Sequence, residues 1–177
     1  MPSKNVPPAK ESVTDREFVI SRVFDAPREL VWRAWTEPQH LAQWWGPKGM
    51  TNPVCELEVR PGGACCIVMR TPEGTEYPMK GVFVEIVPPE RLVLTMDVSG
   101  HPKEWHDAID PQRKPGENPV GEMLQTVTFE DLQGKTRQTV HTRFRNAAIA
   151  QAMVKMGMNE GWSQSLDRLE ALLSHLA

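Results

Sequence analysis

Cysteine is scarce in this 177-residue chain, occurring only at Cys55, Cys65 and Cys66. An odd count excludes a complete disulfide framework and points to a reducing, cytosolic setting. Excess positive charge is also missing. Twenty Lys and Arg stand against 23 Asp and Glu, a formal net charge of −3 with a pI near 6.0. An electrostatic nucleic-acid binder needs the opposite balance, so that class is excluded. No run approaches the roughly 18 apolar residues of a spanning helix, so no membrane partner is expected. Met1 to Glu11 is polar and proline-containing, without an apolar signal core. No segment repeats at a period of about 20–50 residues, which excludes solenoids. There is no G-x-S-x-G, no P-loop and no G-x-G-x-x-G after a strand, so no catalytic residue is assigned and no cofactor is expected.

What is present fits one domain. Hydrophobic residues make up 40% of the chain, enough for a sizeable core. Residues 1–14, with Pro2, Pro7 and Pro8, read as an N-terminal tail, leaving 15–177 as the domain. Glu17 to Phe24 is rich in β-branched and aromatic residues and predicts a first strand. Asp25-Ala26-Pro27 then offers a capping side chain and a first-turn proline for a short helix. Thr36-Glu37-Pro38-Gln39 resembles a capping box that opens a second helix through Trp44 and Trp45, stopped by Gly46-Pro47.

Turn-punctuated strands follow at Val54–Val59, Ala64–Arg70, Tyr77–Val87 and Leu92–Val98. Two more, Thr126–Glu130 and Thr136–Phe144, flank a hairpin turn at Leu132-Gln133-Gly134-Lys135. A short helix from Ala147 to Met156 breaks near Gly157. Trp162, Leu166, Leu169, Leu173 and Leu176 then trace one stripe of a long amphipathic helix. Strands joined by short turns pair antiparallel, and the last helix is the one long stripe available to cover their apolar face. The expectation is α+β: a curved antiparallel sheet of six to seven strands wrapped on the C-terminal helix, with two short helices after strand 1. A single helix covers only part of such a sheet, which leaves a cavity between them.

Three ordered motifs resemble a known group. Phe24-Asp25-Ala26-Pro27-Arg28-Glu29-Leu30-Val31-Trp32-Arg33-Ala34-Trp35-Thr36, followed by Leu41-Ala42-Gln43-Trp44-Trp45-Gly46-Pro47, resembles the opening of the START-like (SRPBCC) superfamily. More narrowly, it is similar to homologues of the activator of the heat-shock protein 90 ATPase. Gly81 to Leu92 resembles the family's central hairpin, and Gly157 to Trp162 with Leu166-Asp167-Arg168-Leu169 its terminal helix. The resemblance implies a helix-grip (START/Bet v-like) fold with an apolar cavity between sheet and last helix. Relatives variously bind lipids or polyketides, act as cyclases, or serve as co-chaperone modules. The loop from Ser99 to Glu122 is longer than in short members, and with Trp105 it reads as a lid.

Six tryptophans and nine methionines are the chemical signature. Indoles offer broad apolar faces, and thioethers fill irregular spaces and accept varied ligands. Ordinary core packing explains Trp32 and Trp35. Trp44 and Trp45 cannot share a helical face, so one packs while the other rims the cavity. The expected lining is Trp44, Trp45, Met69, Met96, Trp162 and Leu166, capped by Trp105. Gly161 is read as close packing or cavity space. His101, Glu104, His106, Asp107 and Asp110 fit no zinc spacing and read as a solvated loop, so no metal is assigned. The function expected is non-catalytic binding of a small apolar or amphipathic molecule by a cytoplasmic monomer or homodimer with a stress-related or regulatory role. A chaperone-docking module and a cyclase- or hydrolase-like enzyme using the same cavity are the alternatives.

Overall fold

A computed structural model describes residues 10–176. Eight antiparallel strands form one sheet: β1 (Lys10–Thr14), β2 (Glu17–Phe24), β3 (Thr51–Leu57), β4 (Ala64–Arg70), β5 (Glu76–Val87), β6 (Arg91–Asp97), β7 (Glu122–Leu132) and β8 (Lys135–Arg143). Their spatial order is β1-β2-β8-β7-β6-β5-β4-β3. Helices α1 (Arg28–Thr36) and α2 (Pro38–Trp44) follow β2, α3 (Lys103–Ile109) lies between β6 and β7, and α4 (Ala147–Lys155) precedes the long α5 (Met158–Leu176). The expected α+β helix-grip fold is therefore present.

The extra strand is β1, which falls within the segment expected to be a tail. Its backbone pairs with β2 from Lys10↔Ser21 to Thr14↔Glu17. An edge strand of this kind is held by main-chain hydrogen bonds, which no hydrophobic pattern announces. Residues 1–9 of the expected tail lie outside the described residues. The presumed loop before β7 likewise contains a helix, α3.

The β7–β8 turn is as expected: Gln133 and Gly134 both take positive φ (54° and 88°), the geometry a two-residue hairpin needs. Irregular registers in β3–β4 and in β5–β6, the latter between Phe83 and Glu85, bend the sheet so that it curves around α5. Neither expected side-chain cap forms. Pro27 stands at the α1 N-cap, and Glu37 precedes Pro38 at the start of α2. Thr36 ends α1 instead, and its hydroxyl donates back to the Trp32 carbonyl (2.9 Å). Proline, with φ already set for a helix and no N–H to satisfy, starts α2 without a cap.

The concave face of the sheet is apolar, and α5 buries Leu166, Leu169, Leu172 and Leu173 against it. Arg22 of β2 ties this helix down through Asp167 (2.7 Å) and the Ser163 carbonyl (3.3 Å). On its other side α5 carries Arg168. Its guanidinium donates to the carbonyls of Gln43, Trp45, Gly46, Pro47 and Met50 at 2.8–3.1 Å. Burial lowers its pKa below the ordinary value. Five acceptors around one planar fork lock the α2–β3 turn onto α5.

Arg168→Ala leaves these carbonyls without their donor and is expected to lower stability by about 2–4 kcal/mol. Arg168→Lys, with a compact ammonium in place of the fork, should restore less than half of that loss. Urea denaturation of the three proteins measures this, and equal stability of Arg168→Lys and the parent would refute the clamp.

Candidate functional site

The aromatic packing that shapes the site begins in α1. Trp35 makes edge contacts with Trp44 (4.8 Å between ring centres) and Trp45 (5.9 Å), and stacks on Trp162 of α5 (6.2 Å). Its Nε1 donates to Gln138 Oε1 (2.7 Å). Trp44 lies wholly buried beneath it, with Nε1 donating to the Ala34 carbonyl (2.9 Å). Trp32 is half-buried against Phe129 (5.5 Å). Each indole is thus held by neighbouring rings, and Trp44 and Trp35 by a hydrogen bond as well.

Beside this cluster, between the concave sheet and α5, lies a cavity of about 250 Å³. Trp45 and Trp162 form one wall, joined by Gly46 and Pro47 of the clamped turn. Met69, Met96 and Met123 come from the sheet, and Met153, Met156 and Met158 from the α4–α5 corner. Trp105 of α3 closes the side towards the long loop. Gln125, Thr142 and Ser165 supply side-chain polarity. Among the described residues, no ionisable side chain lines the cavity.

The structure brings five of the seven expected lining residues together here: Trp45, Met69, Met96, Trp105 and Trp162. Trp44 and Leu166 do not reach the cavity. Of the adjacent indoles, Trp44 packs and Trp45 rims. Leu166 belongs to the leucine stripe, which points into the core about 100° around the helix from Ser165. The cavity-facing stripe of α5 is Met158, Gly161, Trp162 and Ser165, at positions i, i+3, i+4 and i+7. Small residues in that row leave the space. A Cβ on Gly161 would sit an ordinary 3.6 Å from Pro47 Cγ, so the glycine marks cavity rather than a forced contact.

Gly46 is the opposite case. It has φ +93°, a conformation that favours glycine, and a Cβ there would lie 2.8 Å from Met69 Sδ, so a larger residue would also push the thioether aside. Sequence reasoning missed Gln125 and Thr142 as lining. The available signal was polar residues on the buried face of β7 and β8.

The lid is more ordered than a solvated loop. His106 is buried, and its Nε2–H donates to the Ser99 carbonyl (3.1 Å). His101 Nδ1–H donates to the Pro78 carbonyl (3.0 Å), and its ring meets Trp105 (4.6 Å) and Tyr77 (5.2 Å) edge-on. Asp107 accepts from Lys103 and Arg113 (2.9 Å each), and these partners, Lys103 foremost, hold its carboxyl below the usual range. Among the described residues, no three His, Cys, Asp or Glu side chains converge as metal ligands would. All three cysteines are free, and burial pushes the thiols of Cys55 and Cys65 up to about 11 and about 12. At neutral pH both stay protonated and unreactive.

Burial lowers the His101 pKa to about 4 from 6.5. Between these values the unfolded chain binds a proton that the folded one refuses, so stability falls as pH drops through that window. Urea unfolding between pH 7 and pH 4.5 should show this loss, with a shallower slope in His101→Phe. An unchanged slope in that variant would disprove the assignment.

Three comparisons place the chain among known proteins. Protein NE0264 from Nitrosomonas europaea, a crystal structure, superposes with a TM-score of 0.73 at 28% identity, covering 90% of this chain and 94% of that one. A protein from Arthrobacter aurescens, solved by NMR in solution, gives 0.76 at 28% identity over 97% and 93%. CalU16 from Micromonospora echinospora shares the fold at 17% identity, with a TM-score of 0.62 over 94% and 86%. No curated protein matches the chain. Among the described residues, no helix is long and apolar enough to cross a membrane. The family model "Activator of Hsp90 ATPase homolog 1-like protein" matches residues 25–174, and the chain belongs to that family.

Proposed function

We propose that the protein binds a small apolar or amphipathic molecule between sheet and α5 without altering it chemically. The observation that carries this reading is the cavity of about 250 Å³ walled by indoles and thioethers. Its volume lies between the roughly 150 Å³ void that holds benzene and the about 300–1000 Å³ pockets of drug-sized ligands. A ligand of one or two rings, or a short branched chain, suits such a space. Apolar burial supplies the driving force, at about 25 cal/mol per Å² before the costs of association.

Binding is favoured over catalysis by the character of the lining. Acid–base or nucleophilic chemistry needs convergent groups that exchange protons or attack, and the lining side chains are apolar apart from one amide and two hydroxyls. Six methionines around the space give walls that adapt to a guest by rotamer changes.

Native mass spectrometry of freshly purified protein should show a co-purified small molecule or an empty form that takes up the neutral two-ring probe 1-naphthylamine. Gly161→Leu places a side chain in the cavity and removes a helical glycine. It is expected to weaken the probe at least about tenfold while the fold keeps or gains about 0.5–1 kcal/mol. Undiminished probe affinity in that variant would refute the cavity as the binding site.

A further inference from the structure

The polarity inside the cavity is concentrated in one place. Gln125 of β7 and Thr142 of β8 are register partners on the concave face, and each is 1% exposed. Directly opposed side chains in antiparallel strands start about 4.5–5.5 Å apart at Cβ. Both line the cavity, and neither Gln125 Oε1 nor Thr142 Oγ1 has a hydrogen-bond partner within the protein. Most other polar atoms of this region are engaged, Gln138 Nε2 excepted. The Thr136 hydroxyl donates to the Ala26 carbonyl (2.7 Å), Gln138 Oε1 accepts from Trp35, and the Ser165 hydroxyl donates to the Gly161 carbonyl (3.0 Å). Buried amides and hydroxyls left unpaired weaken a fold, so an idle pair on residues that border a ligand-sized space calls for a partner from outside.

A trapped water is the simplest candidate. A second void of about 10 Å³ touches Gln125 from the far side, the size of about one water. Its remaining lining, including Leu41, Ile67, Phe83 and Leu92, is almost wholly apolar, and a stable buried water needs two to four polar partners. The void therefore does not satisfy the pair.

The chemistry of the two atoms selects the guest. Gln125 Oε1 needs a donor, and the Thr142 hydroxyl is free to donate or accept. One hydroxyl meets both demands: its O–H donates to Gln125 Oε1 while its oxygen accepts from Thr142 Oγ1–H. A carboxylate would be desolvated with no lining cation to offset its charge, and an ammonium would find no anion. Resting on the binding function proposed above, we propose that the ligand is an uncharged molecule bearing a hydroxyl, anchored by Gln125 and Thr142 with its apolar body against Trp45, Trp162 and the methionines.

Naphthalene, 2-naphthol and 2-naphthoate share one ring system and differ only in the polar group. Titration calorimetry at neutral pH should rank naphthol about tenfold tighter than naphthalene, with naphthoate weakest. The double variant Gln125→Leu/Thr142→Val should bind naphthalene more tightly than the parent does and lose the preference for naphthol. Without ligand, its melting temperature should rise by about 2–4 °C, because two unpaired groups are gone. Equal affinity for naphthol and naphthalene in the parent, tighter binding of naphthoate, or a preference that survives the double substitution would each overturn the hydroxyl assignment and leave the cavity function standing. A lower melting temperature in the double variant would overturn it too, by showing that the pair serves the fold. If none of the three compounds binds the parent, the cavity function itself fails, and the hydroxyl assignment with it.

Discussion

Arg168 gathers five main-chain carbonyls from the segment between Gln43 and Met50 around one guanidinium. That segment leaves α2, crosses in front of α5 and enters β3, and it has no regular ladder of its own over Gly46 to Met50. Asn52 Nδ2 and the Met50 N–H also donate to the Trp45 and Pro47 carbonyls. Without the fork, however, the carbonyls of Gln43, Gly46 and Met50 would have to turn to water, and the turn would loosen from the helix. The clamp keeps Trp45, Gly46 and Pro47 in place, and these three residues line the cavity beside Gly161 and Trp162. The cavity therefore depends on a polar contact that lies outside it.

The site combines a stiff side with a compliant one. The indoles of Trp45 and Trp162 are fixed by Trp35, which is itself held by Gln138. Around them stand six thioethers, whose unbranched chains change rotamer at little cost. Such a combination presents an aromatic corner of constant shape, its two rings 84° apart, and thioethers that follow the guest. Polar side chains without a partner enter at one point, the Gln125–Thr142 pair on two adjacent strands, since the Ser165 hydroxyl is engaged. A polar anchor in an otherwise apolar space orients a ligand and discriminates among guests of equal size.

Membership of the Activator of Hsp90 ATPase homolog 1-like protein family accounts for the architecture, and structures with 28% identity superpose over nearly the whole chain. Family and fold do not by themselves assign an activity, because a single fold hosts unrelated functions. The distinguishing information lies in which side chains face the space and which of them lack a partner.

Most of the fold was legible from local pattern. Period-two alternation marked β6 and β8, Gln133-Gly134 marked the hairpin between β7 and β8, and the leucine stripe marked α5. These signals survive in one dimension because each reports burial of a face by its own segment. The strand Lys10–Thr14 was not legible, since an edge strand is held by backbone pairing to a neighbour. Helix α3 was missed because its short stretch is fixed by contacts of Trp105, His106 and Arg113 rather than by a repeating stripe. For the site, the sequence by itself determined the stock of indoles, thioethers and a helical glycine, and five of the seven residues named from it line the cavity. Tertiary structure alone decided that Trp45 rather than Trp44 faces the cavity, that Leu166 turns into the core, and that Gln125 and Thr142 meet there with nothing to bind. The reason is geometric: a side chain's direction follows from its own element, but what lies in front of it is set by elements a hundred residues away.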